Sequence, residues 1–316
     1  MKVYITRKIP QKAIDYLKEN CISFSYYNKD QPIPRKELLR NVKNVDAVLS
    51  LLTDKIDAEV IDAMKKCKVI ANYAVGYDNI DVKYAKSKNI IVTNTPGVLT
   101  DSTADLAMAL ALACARRLPE AEKYLRGGKY THWKPDLMLG VELKDKVFGI
   151  LGAGRIGTAV AFRAKSFGCK VIYFSNSRNN KVEKRTGAKK VSLKFLLCNS
   201  DFVSIHLPSD KSTYHLLDKE KLSLLRENAI LINTARGEII EEKELVRILK
   251  KKEIFAAGLD VYENELHINA DLLKLKNVVL LPHIGSATEK ARTDMALIAV
   301  KNIVSVFNKK KPITAV

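Results

Sequence analysis

Residues 147–157 read Val147-Phe148-Gly149-Ile150-Leu151-Gly152-Ala153-Gly154-Arg155-Ile156-Gly157. A short apolar strand pattern runs straight into G-x-G-x-x-G, and a helical pattern follows over residues 158–167. The glycine pattern alone is weak, because an ordinary tight turn between strand and helix can show it. A strand before it and a helix after it make it strong. Gly152 permits the tight turn, Gly154 lets the backbone approach a pyrophosphate, and Gly157 lets helix and strand pack closely. Ala153, Arg155 and Ile156 complete the loop. The helix that follows offers free N–H groups and partial positive charge to phosphates. The stretch therefore predicts a dinucleotide site on a doubly wound parallel sheet.

The same alternation spreads in both directions. Downstream, β-rich runs fall at residues 171–174, 202–206, 230–233, 256–260 and 278–281, mostly with helical stretches between them. Upstream they fall at 2–6, 47–51, 69–73 and 90–94, with helical spacing at 11–20, 58–66 and 82–87. Such alternation predicts parallel sheets covered by helices. Two long helical patterns flank the second series. One covers 102–118, with a polar start at Thr100-Asp101-Ser102 and a stop before Pro119; the other covers 287–308. A unit that begins at the first and ends before the second is inserted into its neighbour. The expectation is a discontinuous substrate domain, 1–98 and 286–316, with a dinucleotide-binding Rossmann domain at 99–285. A length of 316 residues agrees with two domains at roughly 150 residues each.

Lys and Arg number 54 against 35 Asp and Glu, a net charge of +19. The lysines are spread along the chain and no aromatic residues interleave with them. This favours a solvated basic surface over nucleic-acid binding. Such a field also attracts anionic substrates and phosphate-bearing cofactors. Five cysteines, an odd number without C-x-x-C spacing, point to reduced thiols and to no metal site. The longest near-apolar run, residues 104–115, falls well short of the roughly 20 residues that span a membrane. The N-terminus lacks the apolar core of a secretory signal. The expectation is a soluble cytoplasmic protein with no membrane or nucleic-acid partner.

The strand after the glycine loop ends in Ser175-Asn176-Ser177-Arg178. An NAD site usually carries Asp or Glu there, about 20 residues past the loop, to hold the adenosine ribose. A carboxylate would repel a 2′-phosphate, whereas hydroxyls and a guanidinium bind one. These four residues predict NADP(H) over NAD(H), with NAD(H) still usable.

Further motifs name a family. The runs Asn72-Tyr73-Ala74-Val75-Gly76-Tyr77-Asp78-Asn79-Ile80-Asp81, Thr93-Asn94-Thr95-Pro96-Gly97, Asn233-Thr234-Ala235-Arg236-Gly237, Gly258-Leu259-Asp260-Val261-Tyr262-Glu263-Asn264-Glu265 and Leu281-Pro282-His283-Ile284-Gly285-Ser286 stand in the order seen in D-isomer-specific 2-hydroxyacid dehydrogenases. The chain resembles that family over nearly its whole length, and its glyoxylate/hydroxypyruvate reductase branch in the 72–79 run and in Trp133-Lys134-Pro135. The resemblance implies a Rossmann coenzyme domain inserted into a flavodoxin-like substrate domain. It also implies reduction of small anionic 2-oxo acids, glyoxylate and hydroxypyruvate, to glycolate and D-glycerate. Other dehydrogenases of the D-3-phosphoglycerate or D-lactate type, and an NAD(H)-binding corepressor, are the alternatives.

The chemistry asks for three protein groups. Arg236 suits a carboxylate anchor, because a guanidinium makes two parallel hydrogen bonds to it. His283 suits the proton donor and acceptor, since imidazole titrates near neutrality. A carboxylate paired with His283 would favour its charged form. From the residues alone Glu265, Glu263 and Asp260 compete for that part; the resemblance selects Glu265. It departs from the family at Leu266, where proline usually follows the glutamate.

The resemblance implies several more roles. His206, Leu207 and Pro208 would line the cofactor, as would Thr234, Ala235 and Gly285. Thr103 would meet a cofactor phosphate, and Asp260 the nicotinamide amide. The backbone of Ala74, Val75 and Gly76 would donate to the substrate carboxylate. Leu52 would line the substrate pocket or belong to the core. Ser286 would touch substrate or cap the next helix. Trp133 would reach into the neighbouring subunit's site, which makes the protein a homodimer; otherwise it is a core residue.

Overall fold

The computed structural model describes residues 1–265 and 267–316. They divide into two compact units, Met1–Leu99 with Ala287–Val316, and Thr100–Ser286.

In the first unit, strands β1 (Lys2–Ile5), β2 (Ser23–Tyr26), β3 (Ala47–Ser50), β4 (Val69–Asn72) and β5 (Ile91–Thr93) alternate with helices α1 (Gln11–Glu19), α2 (Arg35–Asn41), α3 (Ala58–Ala63) and α4 (Val82–Ser87). The described strands form one parallel sheet in the order β2-β1-β3-β4-β5, the flavodoxin-like arrangement. β3 and β4 are buried at every position, as central parallel strands covered on both faces must be.

In the second unit, the strands are β6 (Val147–Leu151), β7 (Lys170–Phe174), β8 (Lys189–Lys190), β9 (Phe202–Ile205), β10 (Ile230–Asn233), β11 (Ala256–Leu259) and β12 (Val278–Leu280). All pair in parallel, in the order β12-β11-β10-β9-β6-β7-β8. The chain direction across the sheet reverses between β6 and β9, the switch point where Rossmann sheets bind ligands beyond their carboxyl ends. Helices α5 (Thr100–Ala115), α6 (Leu118–Arg126), α7 (Arg155–Ser166), α8 (Asn180–Thr186), α9 (Leu193–Asn199), α10 (Lys219–Leu222) and α11 (Glu242–Lys250) complete the unit. α5 buries small residues, Ala104, Ala107, Ala111 and Ala115, and lies close on β11. A Cβ at Gly258 would stand only 3.0 Å from Leu110 Cβ.

α12 (Glu289–Phe307) returns to the first unit and packs on α1, β3 and β4. The fully buried Asn302 then accepts from the Ile313 and Thr314 N–H groups, laying the C-terminal tail beside β5.

The two parallel sheets match the expected fold class, but local elements differ. β2 and β8 were not anticipated. Each is an edge strand with exposed polar positions, Ser-Phe-Ser-Tyr and Lys-Lys, so neither shows the buried apolar run that betrays a central strand. α7 starts at Arg155 rather than Thr158, because Gly154 is already its cap. Thr100, Asp101 and Ser102 lie inside the first turn of α5, not ahead of it. Pro119 does more than end a helix: α5 stops at Ala115, Arg117 turns left-handed, and Pro119 sits in the first turn of α6. Among the described residues, no helix is long and apolar enough to cross a membrane.

Candidate active site

The glycine loop is shaped by what surrounds it. Gly152 has φ +96, and a Cβ there would fall 2.6 Å from the His206 carbonyl oxygen. A Cβ at Gly157 would lie 2.0 Å from the Gly152 oxygen. Neither position tolerates a side chain. Gly154 differs: a Cβ there meets nothing within 4 Å, so open space lies over the N-terminus of α7. That combination fits a dinucleotide pyrophosphate. A second fit is Thr234, whose buried hydroxyl has no hydrogen-bond partner among the described residues.

His206 and Leu207 lie beside this loop at the switch point; the His206 N–H donates to Leu151 O at 2.7 Å. Its ring meets the Ser204 hydroxyl at 2.9 Å. Burial drives the His206 pKa down to about 3, so the ring is neutral near pH 7.

Past β7, Ser175 is half-buried, and Asn176, Ser177 and Arg178 are exposed. Sequence reasoning found no carboxylate here, yet the fold supplies one. Glu183, in α8, accepts from Arg178 Nη2 at 2.6 Å and from the Tyr173 hydroxyl at 2.6 Å. The guanidinium holds that carboxyl below its usual pKa range. Asn179 was also missed. Its Nδ2 donates to Ala153 O at 2.7 Å and to the Thr158 hydroxyl at 2.9 Å, while its Oδ1 caps α8, so it ties the β7 end to the glycine loop. A lone Asn or Glu at these positions has no spacing that would announce it.

Arg236, Glu265 and His283 follow three adjacent strands, β10, β11 and β12. Asn233, fully buried, accepts from the Ala235 N–H at 3.0 Å and donates to Arg236 O at 2.8 Å, which turns the chain at Arg236. The guanidinium donates to Ala235 O at 2.8 Å. His283 Nδ1 meets Glu265 Oε1 at 2.8 Å and Oε2 at 3.0 Å. Its backbone is left-handed, φ +54, a conformation that costs a non-glycine residue energy. Asp260 holds it there: its two oxygens accept from the Ile284 and Gly285 N–H groups, both at 2.7 Å. Burial raises the Asp260 pKa, and those two bonds act against the rise. The Thr103 hydroxyl donates to Gly285 O at 3.2 Å, so Thr103, Asp260 and Gly285 come together behind His283. Leu266, the departure from the family pattern, lies outside the described residues.

In the first unit, the loop after β4 is held from within. Ala74 O accepts from the Thr95 N–H at 2.9 Å, Val75 O from Asn94 Nδ2 at 2.8 Å, and Gly76 O from Asn72 Nδ2 at 2.8 Å. The N–H groups of residues 74–76 have no partner among the described residues. Asn79 joins this loop to the one carrying Leu52, donating to Leu51 O at 3.1 Å and Asp54 O at 3.0 Å. Leu52 itself is half-buried.

Two of the alternatives fall away. Trp133 is 74% exposed, so it is no core residue. The cap of α12 is Thr288, whose side chain accepts from the Ala291 N–H at 3.1 Å, and not Ser286. No group of three or more His, Cys, Asp or Glu among the described residues could hold a metal ion.

Sheet order and glycine loop define a dinucleotide-binding protein of the Rossmann class. The profile of the D-isomer specific 2-hydroxyacid dehydrogenase, NAD binding domain, matches residues 108–285, and the chain belongs to that family. A glyoxylate reductase of Thermococcus litoralis is 49% identical over 96% of this chain and 93% of its own length. The crystal structure of a Thermus thermophilus protein superposes with a TM-score of 0.94 at 41% identity, over 100% of both chains. An NADPH-dependent glyoxylate/hydroxypyruvate reductase from Sinorhizobium meliloti, solved with NADP and malonate, superposes with a TM-score of 0.87 at 30% identity, over 100% of this chain and 96% of its own.

Proposed function

We propose that the chain reduces glyoxylate and hydroxypyruvate to the corresponding 2-hydroxy acids, with NADPH preferred over NADH. The observation that carries this reading is His283 Nδ1 set against both oxygens of Glu265, on strand ends next to Arg236. With Nδ1 committed to Glu265, Nε2 is the ring atom left for substrate. Glu265 fixes the ring's orientation, and the protonated ring gives its Nε2 proton to the carbonyl oxygen during reduction. Arg236 anchors the carboxylate and polarises the neighbouring carbonyl. The N–H groups of residues 74–76 are carboxylate donors in this reading. Bound at the glycine loop, the dinucleotide supplies the hydride.

The names of the Thermococcus and Sinorhizobium relatives support the substrate class. Ser175, Asn176, Ser177 and Arg178 support NADPH, with Glu183 limiting the preference. An exposed apolar series, Leu118, Leu125, Tyr130, Trp133 and Leu139, supports a homodimer in which Trp133 meets the second copy. Light scattering showing a monomer at micromolar concentration removes that part. Initial rates with both acids against both cofactors test the rest. Fast oxidation of NADPH is the expected result. Faster oxidation of NADH keeps the enzyme and overturns the cofactor preference; no turnover with either overturns the substrate.

A further inference from the structure

Two histidine–carboxylate pairs involve the loop after β11. One is His283 with Glu265. The other is His215 with Glu263, Nε2 to Oε1 at 2.8 Å, and the proposed reaction leaves it without a part. The second oxygen of Glu263 accepts from the Glu242 N–H at 3.1 Å, while the Glu263 N–H donates to Glu242 Oε2 at 3.1 Å. This exchange pins the loop to the first turn of α11. His215 is anchored in turn. Its N–H donates to Glu238 O at 2.8 Å, and its ring stacks on Tyr214 with centroids 4.1 Å apart.

Two contacts extend the brace to the neighbouring strand ends. A Cβ on Gly237 would lie 1.9 Å from the Tyr262 carbonyl carbon and 2.3 Å from Glu263 N. The backbone after Arg236 therefore rests directly on the peptide that leads to Glu265. The Tyr262 hydroxyl donates to Leu281 O at 2.9 Å, two residues ahead of His283. A single side-chain pair near the surface adds little by itself. This one is joined to two backbone bonds and to a contact that only glycine permits.

We propose that Glu263 is a positioning residue: held by His215 and Glu242, it sets the loop so that Glu265 stays on Nδ1 of His283, in register with Arg236. The inference rests on the parts given above to His283 and Glu265. Its test is Glu263→Gln, which keeps the shape and removes the charge. Displacing a paired group by a fraction of an ångström is expected to lower kcat for glyoxylate about tenfold, with KM for acid and cofactor changed less than about twofold. The hydrogen-bonded Nδ1–H proton signal of His283 in NMR should be lost, as in Glu265→Ala. That signal needs no turnover. An inactive wild type whose signal vanishes in Glu263→Gln overturns the reaction and upholds the brace. An active wild type whose kcat and signal both survive the change overturns the brace alone. His215→Phe should reproduce the loss, and His215→Gln, which can still donate to Glu263, should restore most of kcat. If Glu263→Gln does not fold, that pair decides, and equal kcat in the two His215 variants overturns the proposal.

Discussion

At the end of β4 and at the ends of β10, β11 and β12, buried polar side chains do the same mechanical work but expose different chemistry. In the first unit, Asn72 and Asn94 pull carbonyls inward, and the loop is left with backbone N–H donors. In the second, Asn233 and Asp260 hold the chain so that functional side chains, Arg236 and His283, stand at the strand ends. Amide donors carry no titrating proton, so in the proposed reaction the first loop would hold an anion equally at any pH near neutrality. Any pH dependence of the proposed reaction near neutrality would therefore come from side chains of the second unit. The contrast also predicts how each region fails. Damage to the first should weaken binding; damage to the second should slow chemistry.

The largest effect tests the second half of that statement. His283→Gln keeps a hydrogen-bonding side chain but loses the proton donor. kcat for glyoxylate reduction should fall about 10³-fold, roughly 4 kcal/mol, while cofactor affinity by calorimetry stays near wild type. A variant that keeps a tenth of the wild-type kcat would remove His283 from the reaction. Arg236→Lys comes next. It keeps the charge and loses the two-pronged geometry, so kcat/KM should fall about a hundredfold, roughly 2.7 kcal/mol. A fall below about threefold means that charge alone suffices there.

His206 and His283 sharpen the comparison inside one sheet. Both follow strands of the second unit, yet burial makes His206 neutral, whereas Glu265 pairs with His283. The unfolded chain carries His206 at an ordinary pKa near 6.5, so between pH 6.5 and about 3 the unfolded state binds the extra proton. Stability is therefore lost as pH falls through that window, by at most about 1.4 kcal/mol per pH unit for one proton. His206→Asn should flatten this acid limb in urea titrations at pH 6, 5 and 4 and leave stability at pH 8 little changed relative to pH 7. An acid limb as steep as wild type would show that His206 takes up its proton in the folded state.

Asn94→Ala tests the first unit. It frees the Val75 carbonyl and loosens the loop, at a cost of about 1 kcal/mol. KM for glyoxylate should rise about fivefold with kcat nearly unchanged. A loss confined to kcat would break the division between the two regions.

How much of this was legible in the sequence follows from the physics of each element. Central strands such as β4 and β10 are buried on both faces, so they appear as unbroken apolar runs. β2 and β8 are edges with exposed polar side chains and leave no such trace. Gly152 and Gly157 were legible because their spacing is imposed by two close backbone approaches, where an added Cβ would fall 2.6 and 2.0 Å from a carbonyl oxygen. The side chains that hold the loops, Asn72, Asn94, Asn179 and Asn233, were not assigned. Each acts through a few side-chain hydrogen bonds set by the fold, and a single asparagine has no period. Arg178 illustrates the same limit from the other side. Its own position was readable, but its partner Glu183 reaches it only because α8 folds back over the end of β7.

That partner supplies the smallest and most discriminating test. Glu183 accepts from Arg178 through both oxygens, at 3.2 Å from Nε and 2.6 Å from Nη2. The pair is shared with the Tyr173 hydroxyl, so Glu183 is held in place and cannot simply swing away. A 2′-phosphate arriving at Arg178 meets a guanidinium already half engaged, with a negative charge beside it. Glu183→Gln removes that charge and keeps an acceptor for the guanidinium. The ratio of kcat/KM for NADPH to that for NADH should rise about threefold, through a lower KM for NADPH alone. Because the cofactor phosphate is far more highly charged than the ribose hydroxyl it replaces, added salt should shrink the gain. A ratio that does not move would mean that Arg178 serves α8 and not the cofactor. The proposed preference for NADPH would then rest on Ser175, Asn176 and Ser177 alone.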